Sequence, residues 1–511
     1  MNKPVFSLVI KAHMPWTPYN EERLFESIFD SFLPLFEIFD RLEADHVPFQ
    51  LGVSFSPSLC FLLSDEDILK RFDDWLNKRI DFLKQELTRT DNAPENALAQ
   101  MYYEEAVDKK LQWTIRYERN ILKTLEYYQK KGNVELLMTA ATHAFLPFYV
   151  YYPEAVQAQI ETAIGAFRRF FGKYPLGFFL PEIAWDPDID RFLRAYNFGY
   201  TIMDAHAFAL GEPPASKGAF YPIRTSTGVF AMARDTGAQF SAYPGADCYR
   251  DNSRDVAYEL PKETLKPFFG NRRTSTGCKY YAHDKSLYDP DLAATKARSQ
   301  ARAFLDMQSE RLHKVGEFMP ETPVSLCVCD AEDLGRSWRE GYYFVESLFR
   351  ETNASKNAGV RLLCPGKYLF DQEADKFETI TPSFSSSGIN GYAEMWLDSS
   401  NDWMYSHMIR AIERMTELAE RFPNESCIKE RALNQAAREI LLAQDSSWPM
   451  MLYSKEYAEY AGKQIEGCLQ NFTTIYESLG NGHISTEWLT NLEYDHRIFP
   501  NINYRVFRKN Q

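Results

Sequence analysis

The chain has 511 residues, 45% apolar and 25% charged, which is ordinary for a soluble globular protein of about two to four domains. Its 57 basic and 71 acidic side chains leave a net charge of −14, which speaks against a nucleic acid or an anionic membrane surface as partner. Aromatics reach 15%, which fits either a large core or platforms for stacking sugar rings.

The first apolar run, residues 5–10 (VFSLVI), is too short to span a membrane and no small-residue cleavage site follows it, so it reads as the first strand of the fold. Further apolar runs lie at 49–55, 134–139, 176–181 and 200–204, and again at 324–329 and 360–365. Segments of helical period lie among the earlier runs, at 20–45, 65–90, 96–131, 153–173 and 188–197, and another starts near 336. Continuous apolar strands alternating with helices predict a parallel sheet wrapped by helices, and seven such runs predict a closed or nearly closed α/β barrel. Residues 205–300 break this rhythm with Gly, Pro, Tyr, Asp and Arg and read as an irregular functional insertion. From about residue 398 the pattern is helical, over 402–422, 427–444 and 454–479. The expected division is a barrel over 1–375 and a helical domain over 376–511.

In a parallel barrel the C-terminal ends of the strands open on one face, where active sites are built. His13 follows the first run, His143 the third, Glu182 the fourth, Asp204 and His206 the fifth, and Asp330 the sixth. Each has a plain structural alternative, because a carboxylate at a strand end often caps the next helix. Collected on one face, however, Glu182 and Asp330 form the pair that glycosidic chemistry needs. One protonates the leaving oxygen and the other acts as nucleophile or as base. No H-x-x-x-H or H-E-x-x-H spacing occurs among the nine histidines, no G-x-S-x-G elbow is present, and the eight cysteines are scattered without C-x-x-C. These absences argue against a metal hydrolase or a serine hydrolase, and the cysteine usage fits a reducing cytoplasm.

Motifs then accumulate in order: AHMPW (12–16), GNVELLMTAATHAFLPF (132–148), PEAVQAQI (153–160), GFFLPEIAW (177–185), DAEDLGRSWREGYYF (330–344), WLDSSNDWMY (396–405) and LNQAAREILLAQDSSWP (433–449). Together they resemble the motifs of glycoside hydrolase family 57, most closely the α-1,4-glucan branching enzymes and related bacterial amylases, over nearly the whole chain. The resemblance implies a distorted (β/α)7 barrel with an inserted region, a C-terminal all-helical domain, a retaining mechanism, and no metal or other cofactor. It places Glu182 as nucleophile and Asp330 as acid/base. It also implies an α-glucan substrate such as amylose or glycogen, contacted by His13, Glu135, His143, Arg234, Asp235, Trp396 and Trp448.

The departures from the family pattern are specific. Lys11 stands where a second histidine is usual, and Arg336 and Ser337 replace His and Trp. Ser387 and Phe240 replace tryptophans, Ala246 replaces an aspartate, and DSSW in place of SSDW puts Ser447 where an aspartate would lie. Fewer aromatic platforms tilt a transferase toward hydrolysis or toward another glycan. Lys11 and Arg336 either bring positive charge for an anionic sugar or are neutralised within the protein. Three functions stay open: branching by transfer to a 6-hydroxyl, hydrolysis of an α-glucan, and glycan binding without turnover.

Overall fold

Strand β1 (Val5–Ala12) is buried along nearly its whole length and sits inside a parallel sheet. The computed structural model describes residues 3–18, 21–270, 274–354 and 359–509. The other strands are β2 (Leu51–Phe55), β3 (Val134–Leu136), β4 (Gly177–Phe178), β5 (Tyr200–Asp204), β6 (Ile223–Arg224), β7 (Phe230–Arg234), β8 (Val324–Asp330) and β9 (Arg361–Leu362). Seven of them run in the order β3-β2-β1-β8-β7-β5-β4, every neighbouring pair parallel. The ends of this order meet through a parallel bridge between Met138 and Phe178, in which Met138 N–H donates to the Gly177 carbonyl (3.1 Å) and Phe179 N–H to the Met138 carbonyl (2.7 Å). The ring of seven strands is therefore closed, as the alternating pattern predicts.

One expectation about its members needs correcting. The seventh barrel strand is β7, inside the region read as an irregular insertion, and not the run at 360–365. That run contributes only the two residues of β9, which pair with the first residues of β1 outside the ring order. The FAMAR sequence of β7 carries neither a β-branched residue nor a long apolar run, so its strand signal is weak. A 27-residue helix, Pro290–Gly316, was also not foreseen. Asp289 caps it by accepting from Asp291 N and Leu292 N, and Ala293, Ala297, Ala301, Phe304, Leu305 and Leu312 form its buried stripe.

The flanking helices follow from ordinary signals. Asp65 caps Glu66–Arg89 by accepting from Ile68 N. Pro153 opens Pro153–Phe171, and Gly172, at φ 65°, closes it in the left-handed conformation. After the barrel, Thr379, Thr381 and Ser385 still pair with barrel segments at Arg224, Glu212 and Trp185. The helical array begins at Trp403–Arg421 and continues with Cys427–Ala443, Ser447–Ser454, Ala458–Asn481 and Thr486–Asp495. The second of these is almost wholly buried from Ala432 to Ala443. Its last turn docks on the barrel, where Thr142 Oγ1 donates to the Leu441 carbonyl (2.5 Å) and Gln159 Nε2 to Gln444 Oε1 (3.0 Å). The chain that follows is thereby delivered to the barrel mouth. Among the described residues no helix is long and apolar enough to cross a membrane.

Candidate active site

Glu182 leaves β4 through a single tight turn, Pro181–Ile183. Glu182 (φ 57°), Ile183 (φ 53°) and His143 (φ 55°) all hold left-handed backbone conformations, which cost a residue bearing a Cβ. Such strain persists only where surrounding structure enforces it, and it gathers at functional sites. Here it aims the carboxylate of Glu182 and the ring of His143 at one another, with His143 Nδ1 3.5 Å from Glu182 Oε1.

The hydroxyl of Ser446 joins the two more closely. It donates to Glu182 Oε1 at 2.9 Å and lies 3.0 Å from His143 Nδ1. Burial and the neighbouring His13 hold the His143 imidazole below its usual range, so at neutral pH it is uncharged. A hydroxyl that donates to the carboxylate accepts from the ring, which assigns the histidine proton to Nδ1. Burial alone would raise the Glu182 carboxyl. The hydrogen bonding of His143, the charge His143 gains at the low pH where Glu182 titrates, the charge of Lys11 and the Ser446 bond overcome it and hold the group at about 2. Glu182 is therefore an oriented anion over the whole physiological range, the state an attacking carboxylate requires.

His13 stacks on His143, with ring centroids 4.3 Å apart and planes 11° from parallel. Its Nδ1 meets Ser56 Oγ at 2.8 Å, just beyond β2, and its Nε2 meets Asp445 Oδ1 at 3.0 Å and Ser447 Oγ at 3.1 Å. The aspartate absent at 447 thus has a counterpart two residues earlier, at Asp445, fully buried against the histidine. Sequence reading treated DSSW as a loss and missed both Asp445 and Ser446. The available signal was the acid at the start of the same four-residue motif.

Across the mouth, Asp330 ends β8. The β1–β8 register sets Lys11 directly beside it, and Lys11 Nζ lies 2.8 Å from Asp330 Oδ1. Arg336 is likewise engaged by the protein, with Glu332 (3.3 Å) and Glu26 (4.0 Å). Both cations that departed from the family pattern are thus paired with the chain's own carboxylates. Asp333, three residues past Asp330, is pushed up to about 6, loss of hydration being the larger cause and the charge of Asp330 the next.

The remaining expected residues divide. Arg234, at the end of β7, pairs with Asp204 at the end of β5; Asp204 lies 3.6 Å from His206 Nδ1, and His206 Nε2 bonds the Gly391 carbonyl (2.9 Å). That chain ties two strand ends to the loop whose Ser387 N–H donates to the Glu182 carbonyl at 2.7 Å. Trp396 is buried and stacks on Phe145 (5.1 Å, 28°), two residues past His143, and its indole N–H has no partner among the described residues. Three others are not brought to the carboxylates. Asp235 accepts from Ser325 Oγ (2.6 Å) and pairs with Arg311 of the outer helix. The Trp448 indole donates to the Leu442 carbonyl (2.9 Å), fixing the turn that presents Ser446. Glu135 accepts from Tyr200 Oη (2.7 Å) and Gly366 N (2.7 Å). Tyr200 opens β5 and Gly366 lies just past β9, which is level with the start of β1, so Glu135 belongs to the opposite end of the barrel. There it borders a cavity of about 430 Å³. Phe240 is buried as well, in edge contact with Phe304 and Phe344.

Among the described residues, the side chains that could converge on a metal are Glu439, Cys468 and His496, and they lie within the C-terminal helices. Glu439 there is ion-paired to His496 Nδ1 at 2.6 Å and accepts from Asn471 at 3.1 Å.

A closed seven-stranded parallel barrel thus carries Glu182 and Asp330 beyond the C-terminal ends of its strands, and the C-terminal helical region brings Asp445, Ser446 and Ser447 to Glu182, His143 and His13. The sequence pattern described as glycosyl hydrolase family 57 matches residues 7–380, and that described as the C-terminal domain of 1,4-alpha-glucan branching enzyme matches residues 407–507. The chain belongs to glycosyl hydrolase family 57. It is 27% identical over 505 residues to a 1,4-alpha-glucan branching enzyme of Thermococcus kodakarensis, covering 91% of this chain and 72% of that one. Among solved structures it resembles the alpha-amylase AmyC of Thermotoga maritima, at 32% identity and a TM-score of 0.92, each chain covered in full. It also shares its fold with a branching enzyme of Pyrococcus horikoshii, at 22% identity and a TM-score of 0.90, over 100% of this chain and 98% of that one.

Proposed function

We propose that the protein is an α-glucan-active retaining enzyme that cleaves α-1,4 bonds and transfers the released segment to a sugar 6-hydroxyl, as a branching enzyme does. The observation that carries this reading is Glu182, a buried anion fixed by Ser446 and His143 and facing the same mouth as Asp330. In the first half of the reaction the Glu182 carboxylate attacks the anomeric carbon. The bond to O4 breaks, and Asp330 gives its proton to that oxygen. In the second half Asp330 takes the proton of an incoming hydroxyl as that oxygen displaces Glu182. The donor sugar would sit beside His13, His143, Asp445 and Ser447, which contact one another.

A second reading, hydrolysis, is favoured by two observations. Phe240 is spent in the core and Ser387 offers only its backbone, so fewer aromatic faces bound the mouth, and the likeness to AmyC points the same way. The setting proposed is cytoplasmic storage-glucan metabolism, which eight cysteines without a disulfide support.

Amylose tests both readings. Iodine colour and reducing ends are followed together, beside a Glu182→Gln control. Falling colour without matching reducing ends supports branching, and matched changes support hydrolysis. No change in either, or equal change in the control, overturns the proposal.

A further inference from the structure

Glu439, Cys468 and His496 come from three different elements of the C-terminal helical region. Glu439 lies near the end of Cys427–Ala443, Cys468 in the middle of Ala458–Asn481, and His496 directly follows Thr486–Asp495. One ligand atom of each lies within 4.8 Å of those of the other two. The side chain of Glu439 is wholly buried and Cys468 is buried as well, whereas His496 is one-fifth exposed and leaves one side of the cluster open to solvent. Both carboxylate oxygens are held. Gln435 Nε2 donates to Glu439 Oε1 at 2.5 Å and Asn471 Nδ2 to Oε2 at 3.1 Å, and Gln435 Oε1 in turn accepts from Arg438. His496 Nδ1, 2.6 Å from Oε1, is a third donor. The carboxylate therefore has its hydrogen bonds without the thiol of Cys468, and the ion pair alone does not explain why a soft sulfur ligand faces it.

We propose that Glu439, Cys468 and His496 bind one zinc ion, through a carboxylate oxygen, the thiolate sulfur and Nδ1, and that the ion fastens the C-terminal helices to one another. The donor set selects the metal. Zinc takes a tetrahedron of nitrogen, sulfur and carboxylate oxygen, whereas calcium and magnesium call for about six oxygen ligands. Three protein ligands leave the fourth position to water from the open side. The bonds from Gln435 and Asn471 supply the outer support that orients a ligating carboxylate. On binding, the protons of the thiol and of the imidazolium leave for solvent, so the ion replaces two protons and the cluster keeps its net charge. The Glu439–His496 pair is the metal-free form of the same site. The helix that carries Glu439 also delivers Asp445, Ser446 and Ser447 to the barrel mouth, so the ion would steady the element on which the mouth depends.

Zinc added to the metal-free, untagged full-length protein should bind at one equivalent per chain in equilibrium dialysis. At about a hundredfold excess over Kd it should raise the melting temperature by about 5 °C, and calcium and magnesium should not. No bound zinc, or bound zinc with no rise in melting, overturns the proposal. X-ray absorption at the zinc edge reads the donors of the unmodified protein directly. One sulfur at about 2.3 Å supports the site, and a shell of nitrogen and oxygen alone overturns it.

Two variants identify the sulfur. Cobalt in place of zinc gives a thiolate charge-transfer band, which should vanish in Cys468→Ser and persist in Cys427→Ser, where the exposed cysteine is changed instead. Any other pattern overturns the assignment. Should Cys468→Ser not fold, His496→Gln, which keeps a donor toward Glu439, decides: it should weaken zinc binding by more than about tenfold, and an unchanged affinity overturns the site. None of these readouts depends on turnover, so the failure of the catalytic reading and the failure of this one are separate results.

Discussion

Ser446→Ala removes a single hydroxyl that touches both His143 Nδ1 and Glu182 Oε1. A hydrogen bond to a charged acceptor contributes about 1.5–3 kcal/mol. One pH unit corresponds to about 1.4 kcal/mol, so losing the bond weakens Glu182 as an acid by about one to two pH units, from its present position near 2. His143, 3.5 Å from the same oxygen, keeps its own contribution, so only the share of Ser446 is lost. The acid limb of kcat/KM for amylose should therefore move upward by about one to two pH units. At neutral pH, where Glu182 is ionised in both proteins, what remains is the poorer aim of the carboxylate, a loss on the order of tenfold. Initial rates between about pH 3 and pH 8 measure both effects, and Ser446→Thr, which keeps the hydroxyl, should restore the limb. A uniform drop at every pH with the limb in place would refute the bridging role and leave only a packing defect.

Glu135→Gln should spare kcat and KM on amylose, because the residue lies at the far end of the barrel. It should destabilise the fold by about 1–3 kcal/mol in denaturant unfolding, as one of two paired oxygens becomes an amide facing a donor. His496, partnered by Glu439, has its pKa raised despite burial, which acts in the opposite direction. A group raised on folding stabilises fully below its unfolded value, near 6.5, and that contribution disappears as pH rises through the folded value. His496→Gln should accordingly cost more stability at pH 6 than at pH 9, measured by melting at both. Trp396→Ala opens a cavity beside Phe145 and should cost about 3–5 kcal/mol by chemical denaturation, with activity falling as the His143 segment loosens.

The architecture was readable wherever strands were long and wholly apolar, as at 5–10, 200–204 and 324–329, because burial on both faces leaves an unbroken apolar run. β7 escaped because Ala and Met carry little strand preference, and its ring position depends on neighbours far away in sequence. The 360–365 run misled for the opposite reason, being apolar enough for a strand yet used mainly to pack beneath the barrel. The placement of Glu182, Asp330, His13 and His143 at or beyond strand ends was legible because strand ends have a fixed polarity in a parallel barrel. The partners of those residues were not. Ser446 and Asp445 lie more than 260 residues from Glu182 and from His143, and only docking of the Cys427–Ala443 helix brings them in. Lys11 beside Asp330 is a matter of strand order, since the paired residues of β1 and β8 are 319 positions apart in sequence but adjacent in the sheet.

The late arrival of Asp445, Ser446 and Ser447 also bears on how the molecule comes into being. A nascent chain that has emerged only as far as residue 443 already holds both carboxylates and the whole ring of strands. Yet Glu182 lacks the hydroxyl of Ser446, and His13 lacks the carboxylate of Asp445. Synthesis from the N-terminus thus makes every barrel strand before it makes Ser446 and Asp445, the residues of the C-terminal region that contact Glu182 and His13.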